Sequence, residues 1–210
     1  MKVELLHYTP LSVSDIAICK CYNNKPHTDV DKQLKRIKKV ANVSKHSSTI
    51  EHLYYNFDID GVSRALLQEL SRHRIASPTV KSTRYTLQEL KDEKNIIEED
   101  ASGYVYINYD IVSKYCVLPA EDTIIEAIGK ALANLQKCVK DGLPNDRTKY
   151  CLPEAYKTSL VMTINARSLQ NFLSLRTDSH ALWEIQLLAK AMFGVLPEEH
   201  KPLFEEFICV

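Results

Sequence analysis

Residues 53–60, Leu-Tyr-Tyr-Asn-Phe-Asp-Ile-Asp, switch between an inner and an outer set at every step. Leu53, Tyr55, Phe57 and Ile59 share one face, and Tyr54, Asn56, Asp58 and Asp60 share the other. That period of two predicts a strand with one buried side. Gly61 is expected to end it. Ser63 is then placed to cap a helix whose apolar side carries Leu66, Leu67 and Leu70. His73 leans toward that side, whereas Arg72 points away from Leu70. Pro78 disfavours helical geometry at Ser77, so the helix should stop by about there. The chain beyond is expected to be extended, which would put Ser82 and Arg84 on one side.

Further on, "KDEKNIIEED" at 91–100 reads as a charged, solvated connector. Thr123 and Glu126 have the spacing of a capping box. They would open a long helix with the stripe Ile124, Ile125, Ile128, Leu132, Leu135 and Val139, closed by Gly142 and Pro144. In "TSLVMTIN", Leu160, Met162 and Ile164 alternate with Ser159, Val161 and Thr163, predicting a second strand. It runs directly into a helix marked by Leu169, Phe172, Leu173 and Arg176. A last helix is expected from about His180 to Leu196, with Asp178 and His180 at its cap. Ala181, Leu188, Met192 and Val195 should lie inside, and Trp183 in the core. Strands and helices do not alternate regularly, so the pattern favours an α+β layout over a doubly wound sheet.

Composition removes several alternatives. The 210 residues can bury a core, and 45% hydrophobic with 26% charged residues is the make-up of a soluble globular protein. No apolar run approaches a membrane span and no signal peptide opens the chain, so a cytoplasmic protein away from membranes is expected. The six cysteines lack CxxC spacing and HExxH is absent, so reduced thiols and no metal site are expected.

A formal charge of zero argues against a general nucleic-acid binder. The positive charge is local instead. No acid lies between Glu69 and Glu89, a window holding Arg72, His73, Arg74, Lys81 and Arg84. A second acid-free window, between Glu154 and Asp178, holds Lys157, Arg167 and Arg176. Two such windows suggest a confined ligand bearing a few phosphates; chance and helix-end electrostatics are the alternative. None of the five glycines falls in GxG or GxxxxGK[ST], so a Rossmann fingerprint and a Walker loop are both absent. Side chains must therefore hold any phosphates, and the planar fork of arginine suits them. Ser82 has no GxSxG elbow around it and reads as a phosphate ligand rather than a nucleophile.

These residues resemble the flavin-dependent thymidylate synthases. "RHRIASPTVKSTRYT" at 72–86 is similar to the family signature of R-H-R, seven residues, then Ser. "HSSTIEH" at 46–52 resembles the upstream histidine segment, and "NARSLQNFLSLR" at 165–176 with "DSHALWEI" at 178–185 the C-terminal block. The three blocks keep the family's order. The resemblance implies one domain over 1–210 with a mostly antiparallel sheet flanked by helices.

It also implies reductive methylation of dUMP to dTMP. Methylenetetrahydrofolate would give the carbon, and FAD reduced by NADPH the hydride. Sites would be shared within a homotetramer. By resemblance, Ser48, Arg72, His73, Arg74, Asn165, Arg167 and Asn171 would bind FAD. Ser82 and Arg84 would grip the dUMP phosphate. Glu69, Leu70, Ser71, Arg72, Val80, Lys81, Thr83 and Lys149 would complete the dUMP pocket. Arg176 would face the uracil ring and act in catalysis. Glu69 stands where glutamine is common, Val80 for glutamate, Thr83 for glycine and Lys149 for arginine, which alters details of that pocket. Another pyrimidine nucleotide as substrate, or RNA held by the Arg-His-Arg loop, are rival readings; the chain lacks RNP-like aromatic clusters.

Overall fold

Along the chain of the computed structural model, β1 (Lys2–Tyr8) is followed by α1 (Leu11–Tyr22), α2 (Val30–Lys38), β2 (Tyr54–Ser63), α3 (Arg64–Ser71) and β3 (Ala76–Val80). Next come α4 (Thr83–Thr86), β4 (Ile97–Glu99), β5 (Val105–Ile107), α5 (Tyr109–Tyr115), α6 (Asp122–Lys140) and α7 (Asn145–Thr148). β6 (Lys157–Asn165), α8 (Ala166–Arg176) and α9 (Trp183–Gly194) follow. The structure describes residues 1–99, 101–103 and 105–209. The chain packs as two compact units, one of Met1–Asp60, Gln68–Thr79 and Leu160–Val210, the other of Gly61–Leu67 and Val80–Ser159.

The first unit is built on a sheet of order β1-β2-β6-β3. β1 and β2 are antiparallel, and a register shift between Leu5 and His7 leaves Leu6 exposed. The alternation expected of β2 is present: Tyr55, Phe57 and Ile59 are fully buried. Gly61 does not end the strand. Its φ of 70° carries the backbone through the left-handed region, where a glycine meets no Cβ clash. The strand then resumes out of phase, so Val62 is buried, as is Ser63 after it. In β6, Leu160, Met162 and Ile164 are buried as expected. α8 packs against α9 and against the tight turn Ser47–Ile50. α9 begins at Trp183, later than expected, because Asp178 accepts the His180 N–H within a preceding turn instead of capping the helix. Trp183 is 47% exposed and lies outside the core; Ile185, Leu188, Ala189 and Met192 fill it.

α1 buries Leu11, Ser14, Asp15, Ile18 and Cys19, a helical stripe with polar members. Asp15 pairs with Arg36 at 3.0 Å and accepts the His27 N–H at 2.7 Å. The same guanidinium donates to the Cys19 sulfur at 2.6 Å. Cys19 is thus a structural thiol, whereas Cys21 is exposed; all six cysteines are free.

In the second unit the Ser63 hydroxyl caps α3 as expected, accepting the Leu66 N–H at 3.0 Å. α6 supplies Ile128, Leu132, Leu135 and Val139 to a core with Leu87, Leu90, Ile96 and Val112. Gly129 lets β5 approach: an added Cβ would lie 2.5 Å from the Ile107 side chain. Thr123 and Glu126 form no capping box, because the cap position is Glu121 and the helix already starts at Asp122. Ile124 is exposed. The C-terminus matches expectation. Gly142, at φ 72°, and Leu143 return N–H groups to Val139 and Cys138, the Schellman closure. Residues 91–99 are more than a solvated connector, since Ile96 is buried and Ile97–Glu99 pairs with β5, while residue 100 lies outside the described residues.

Candidate functional site

α3 stops at Ser71, well before Pro78 would require. Its last turn is closed by Arg72 and His73, whose N–H groups reach the Glu69 and Leu70 carbonyls at 3.3 and 3.0 Å. The chain then turns sharply at Ile75, which has a φ of 60°. A β-branched residue there stores on the order of 1–3 kcal/mol of strain. His73 is buried, as its spacing predicts. Its Nε2 lies 3.1 Å from the Ser168 carbonyl, and its ring meets Phe172 edge-on at 5.0 Å. Burial pushes its pKa down, the Ser168 carbonyl opposes this, and Arg176 adds to the lowering. A neutral ring that donates from Nε2 to the carbonyl fits that contact.

The partner element is the start of α8. Asn165 is its cap, 4% exposed, and its Oδ1 accepts the Ser168 N–H at 2.9 Å. Ser168 therefore ties the helix start to the Arg-His-Arg turn. Between them lies a cavity of about 600 Å³ lined by Arg72, His73, Arg74, Asn165, Arg167, Asn171 and Arg176. Its size is in the ordinary small-molecule range. Its donors include four guanidinium forks and two side-chain amides, a set suited to phosphate oxygens and to the edge of a heteroaromatic ring.

Glu51, Ile75, Ser168 and Leu175 also line the cavity and were not foreseen. Glu51 pairs with Arg167 at 2.6 Å. The segment "HSSTIEH" contains it, but nothing in that segment singles out the acid. Ser48, the expected hydroxyl, is exposed on the turn preceding Glu51 and is not among the lining residues. Arg176 is held by Glu69: Nη1 donates to Oε2 at 2.9 Å and Nη2 to the main-chain oxygen at 3.0 Å. Its Nε is buried with no protein partner. An unpaired buried N–H costs about 1–3 kcal/mol, and more in a charged group.

The other expected residues fall into separate groups. Ser71 is exposed and its hydroxyl donates to the Gln68 carbonyl. Leu70 is 3% exposed, so its side chain belongs to the core, and its carbonyl accepts the His73 N–H. Val80, Lys81, Ser82, Thr83, Arg84 and Lys149 belong to the second unit. The chain beyond Pro78 is extended through Val80, as expected, and Ser82 keeps extended backbone, but it is the cap position of the short helix α4, and Arg84 sits within that helix. Ser82 makes no side-chain cap bond, so its hydroxyl is not spent on the helix. Thr83 is buried, at the first position of α4. Lys81 pairs with Glu89 at 3.2 Å. Asn145, not foreseen, donates to the Arg84 carbonyl at 2.7 Å and accepts from Gln88 at 3.2 Å. It fastens α4 to α7, immediately before Lys149.

Residues 4–200 match the family model described as thymidylate synthase complementing protein. The chain is 48% identical over 207 residues to a protein of Campylobacter jejuni (strain RM1221) named flavin-dependent thymidylate synthase, covering 98% of this chain and 96% of that one. A protein of the same name from Helicobacter pylori (strain ATCC 700392 / 26695) is 46% identical over 211 residues, with 98% of each covered. The crystal structure of thymidylate synthase X from Helicobacter pylori with FAD and dUMP superposes with a TM-score of 0.91 at 44% identity, over 100% of both chains.

Proposed function

This chain belongs to the flavin-dependent thymidylate synthases, and from that premise we propose that it converts dUMP to dTMP with FAD as its cofactor. Methylenetetrahydrofolate is the proposed carbon donor and NADPH the proposed reductant. One observation carries the assignment. Six of the seven residues expected at the flavin, Arg72, His73, Arg74, Asn165, Arg167 and Asn171, line one cavity although they come from two distant stretches of sequence.

Bound FAD supplies hydride transfer, which no protein side chain provides. The chain's own contribution is binding and charge. Arg72, Arg74 and Arg167 offer forked donors to the diphosphate. Asn165 and Asn171 offer amides that can both donate and accept. A neutral His73, kept neutral by burial, adds no charge and fixes the turn on which both arginines stand. Ser48 is assigned to the flavin from the neighbouring turn.

For dUMP, Ser82 and Arg84 are assigned to the phosphate. Lys81, Lys149, Val80 and the main chain of Thr83 surround it. Ser71, Arg72 and the main chain of Leu70 are assigned to the nucleoside, beside Glu69, whose acceptors are already engaged by Arg176. Arg176 is assigned to the uracil edge, where an oriented guanidinium stabilises the charge that develops as the ring carbon becomes nucleophilic. The sites are proposed to be shared within a homotetramer, so the two sets of residues need not come from one copy. A cytoplasmic location fits this chemistry, and among the described residues no helix is long and apolar enough to cross a membrane.

The test begins with colour. The purified protein is expected to be yellow, with about one non-covalent FAD per chain, and to form dTMP from dUMP once methylenetetrahydrofolate and NADPH are added. Protein that stays colourless with excess FAD would remove the basis of the assignment. A yellow protein that leaves dUMP unchanged would keep the flavin and discard the reaction.

A further inference from the structure

Arg176 can favour a developing anion only if its donors point at it, and in this structure one residue fixes where they point. Glu69 accepts from both terminal nitrogens, with its carboxylate from Nη1 at 2.9 Å and with its main-chain oxygen from Nη2 at 3.0 Å. That main-chain oxygen is itself located by the end of α3, where it also accepts the Arg72 N–H at 3.3 Å. Two acceptors in a fixed relation set the plane of a guanidinium as well as its position. Of five N–H groups, two are committed, and one on each terminal nitrogen and the buried Nε remain. The cation is the more enclosed partner, at 17% side-chain exposure against 47% for Glu69.

We propose that Glu69 is a positioning residue for Arg176 and not, as the resemblance implied, a direct ligand of dUMP. The inference rests on the proposed reaction, in which Arg176 meets the uracil edge. Two consequences separate the roles. A carboxylate beside the cavity lowers the positive potential that attracts a phosphate dianion, so its removal leaves dUMP binding intact or tighter. A direct ligand, by contrast, weakens dUMP binding when removed and leaves the rate of the bound complex alone. Loss of orientation acts in the opposite sense, because a misplacement of about 1 Å at a reacting group costs on the order of 10²-fold in rate.

The experiment uses flavin-loaded wild type, E69A, E69Q, R176K and E69A/R176K. It measures dUMP affinity by calorimetry, and dTMP formation in a single turnover with dUMP and methylenetetrahydrofolate saturating. E69A is expected to bind dUMP at least as well as wild type and to form dTMP about 10- to 100-fold more slowly. E69Q keeps the side-chain acceptor and should recover the rate to within about threefold of wild type. In the R176K background a lysine has no plane to orient, so E69A should cost less than about threefold there. Weakened dUMP binding at an undiminished rate in E69A would overturn the proposal, as would equal losses from E69A in both backgrounds. Wild-type enzyme that binds FAD and dUMP yet yields no dTMP would overturn the reaction itself, and the positioning role with it.

Discussion

Asn165 carries two duties that one pair of substitutions can separate. It caps α8, and it lines the cavity proposed for FAD. In Asn165→Ala the Ser168 N–H loses its acceptor at 2.9 Å inside a buried segment. Loss of a helix cap costs about 0.5–2 kcal/mol, and an unsatisfied buried donor about 1–3. These describe one event from two sides, so about 2 kcal/mol is the expected net. For a chain of this length that corresponds to a fall in Tm of roughly 4–8 °C. Asn165→Asp keeps an acceptor of equal capping quality and puts a carboxylate where the helix end favours one. Its Tm should stay within about 3 °C of wild type. Flavin affinity runs the other way. If a flavin phosphate were held within about 6 Å of this cap, a new negative charge there would cost about 3 kcal/mol at an effective dielectric of about 20, or roughly 100-fold. Melting is followed on flavin-free protein, so that ligand linkage does not mask the cap, and FAD binding is followed by quenching of its fluorescence. Asn165→Asp binding FAD as tightly as wild type would show that no phosphate lies near this helix end. Asn165→Ala melting with wild type would show that the cap contributes nothing.

Arg84→Ala should weaken dUMP by about 30-fold, about 2 kcal/mol for a charged contact, and deoxyuridine by less than about threefold; equal losses for the two ligands in a competition assay would take Arg84 away from the phosphate. His200 is buried within 2.7 Å of the Tyr55 hydroxyl, and burial lowers its pKa to about 4, with nearby Glu199 opposing. Because the folded value lies below the unfolded one, the unfolded chain takes the proton first. Stability should therefore fall as pH drops from about 6.5 to about 4, by on the order of 3 kcal/mol. His200→Gln should flatten that acid limb in urea titrations, and an unchanged limb would assign the loss to other groups.

How far the sequence reached depended on whether a feature is local. The faces of β2 and β6 were legible because a period of two needs only neighbours. The Ser63 cap and the Gly142 closure were legible because a cap acts within one turn. Trp183 is the opposite case: size suggests the core, but Ile185 and Leu188 set the buried face of α9, and Trp183 is not on it. The left-handed turn at Ile75 could not be foreseen, since a β-branched residue is the wrong signal for a positive φ. Ser82 and Arg84 were found as residues and misplaced as geometry, because the end of an extended run and the start of a four-residue helix share the same polar letters.

The charge windows were informative and incomplete in an instructive way. Counting acids along the chain finds none between residues 69 and 89, yet the folded cavity has Glu51 on its wall and Glu69 bound to one of its arginines. Folding returns counter-ions that the linear count had excluded. They are not equivalent. Arg167 and Glu51 are 58% and 43% exposed, and an ion pair in that setting is worth about 0–1 kcal/mol, so it competes weakly with a ligand phosphate. Arg176 is enclosed and doubly bonded, and among the described residues Arg72 and Arg74 have no acidic partner. The four guanidinium groups therefore span three conditions around one cavity. Two are uncommitted, one is loosely paired, and one is held. A phosphate site needs cations that can be recruited, whereas a site for a developing charge needs a cation that already points the right way, because reorienting it during the reaction would be paid in the barrier.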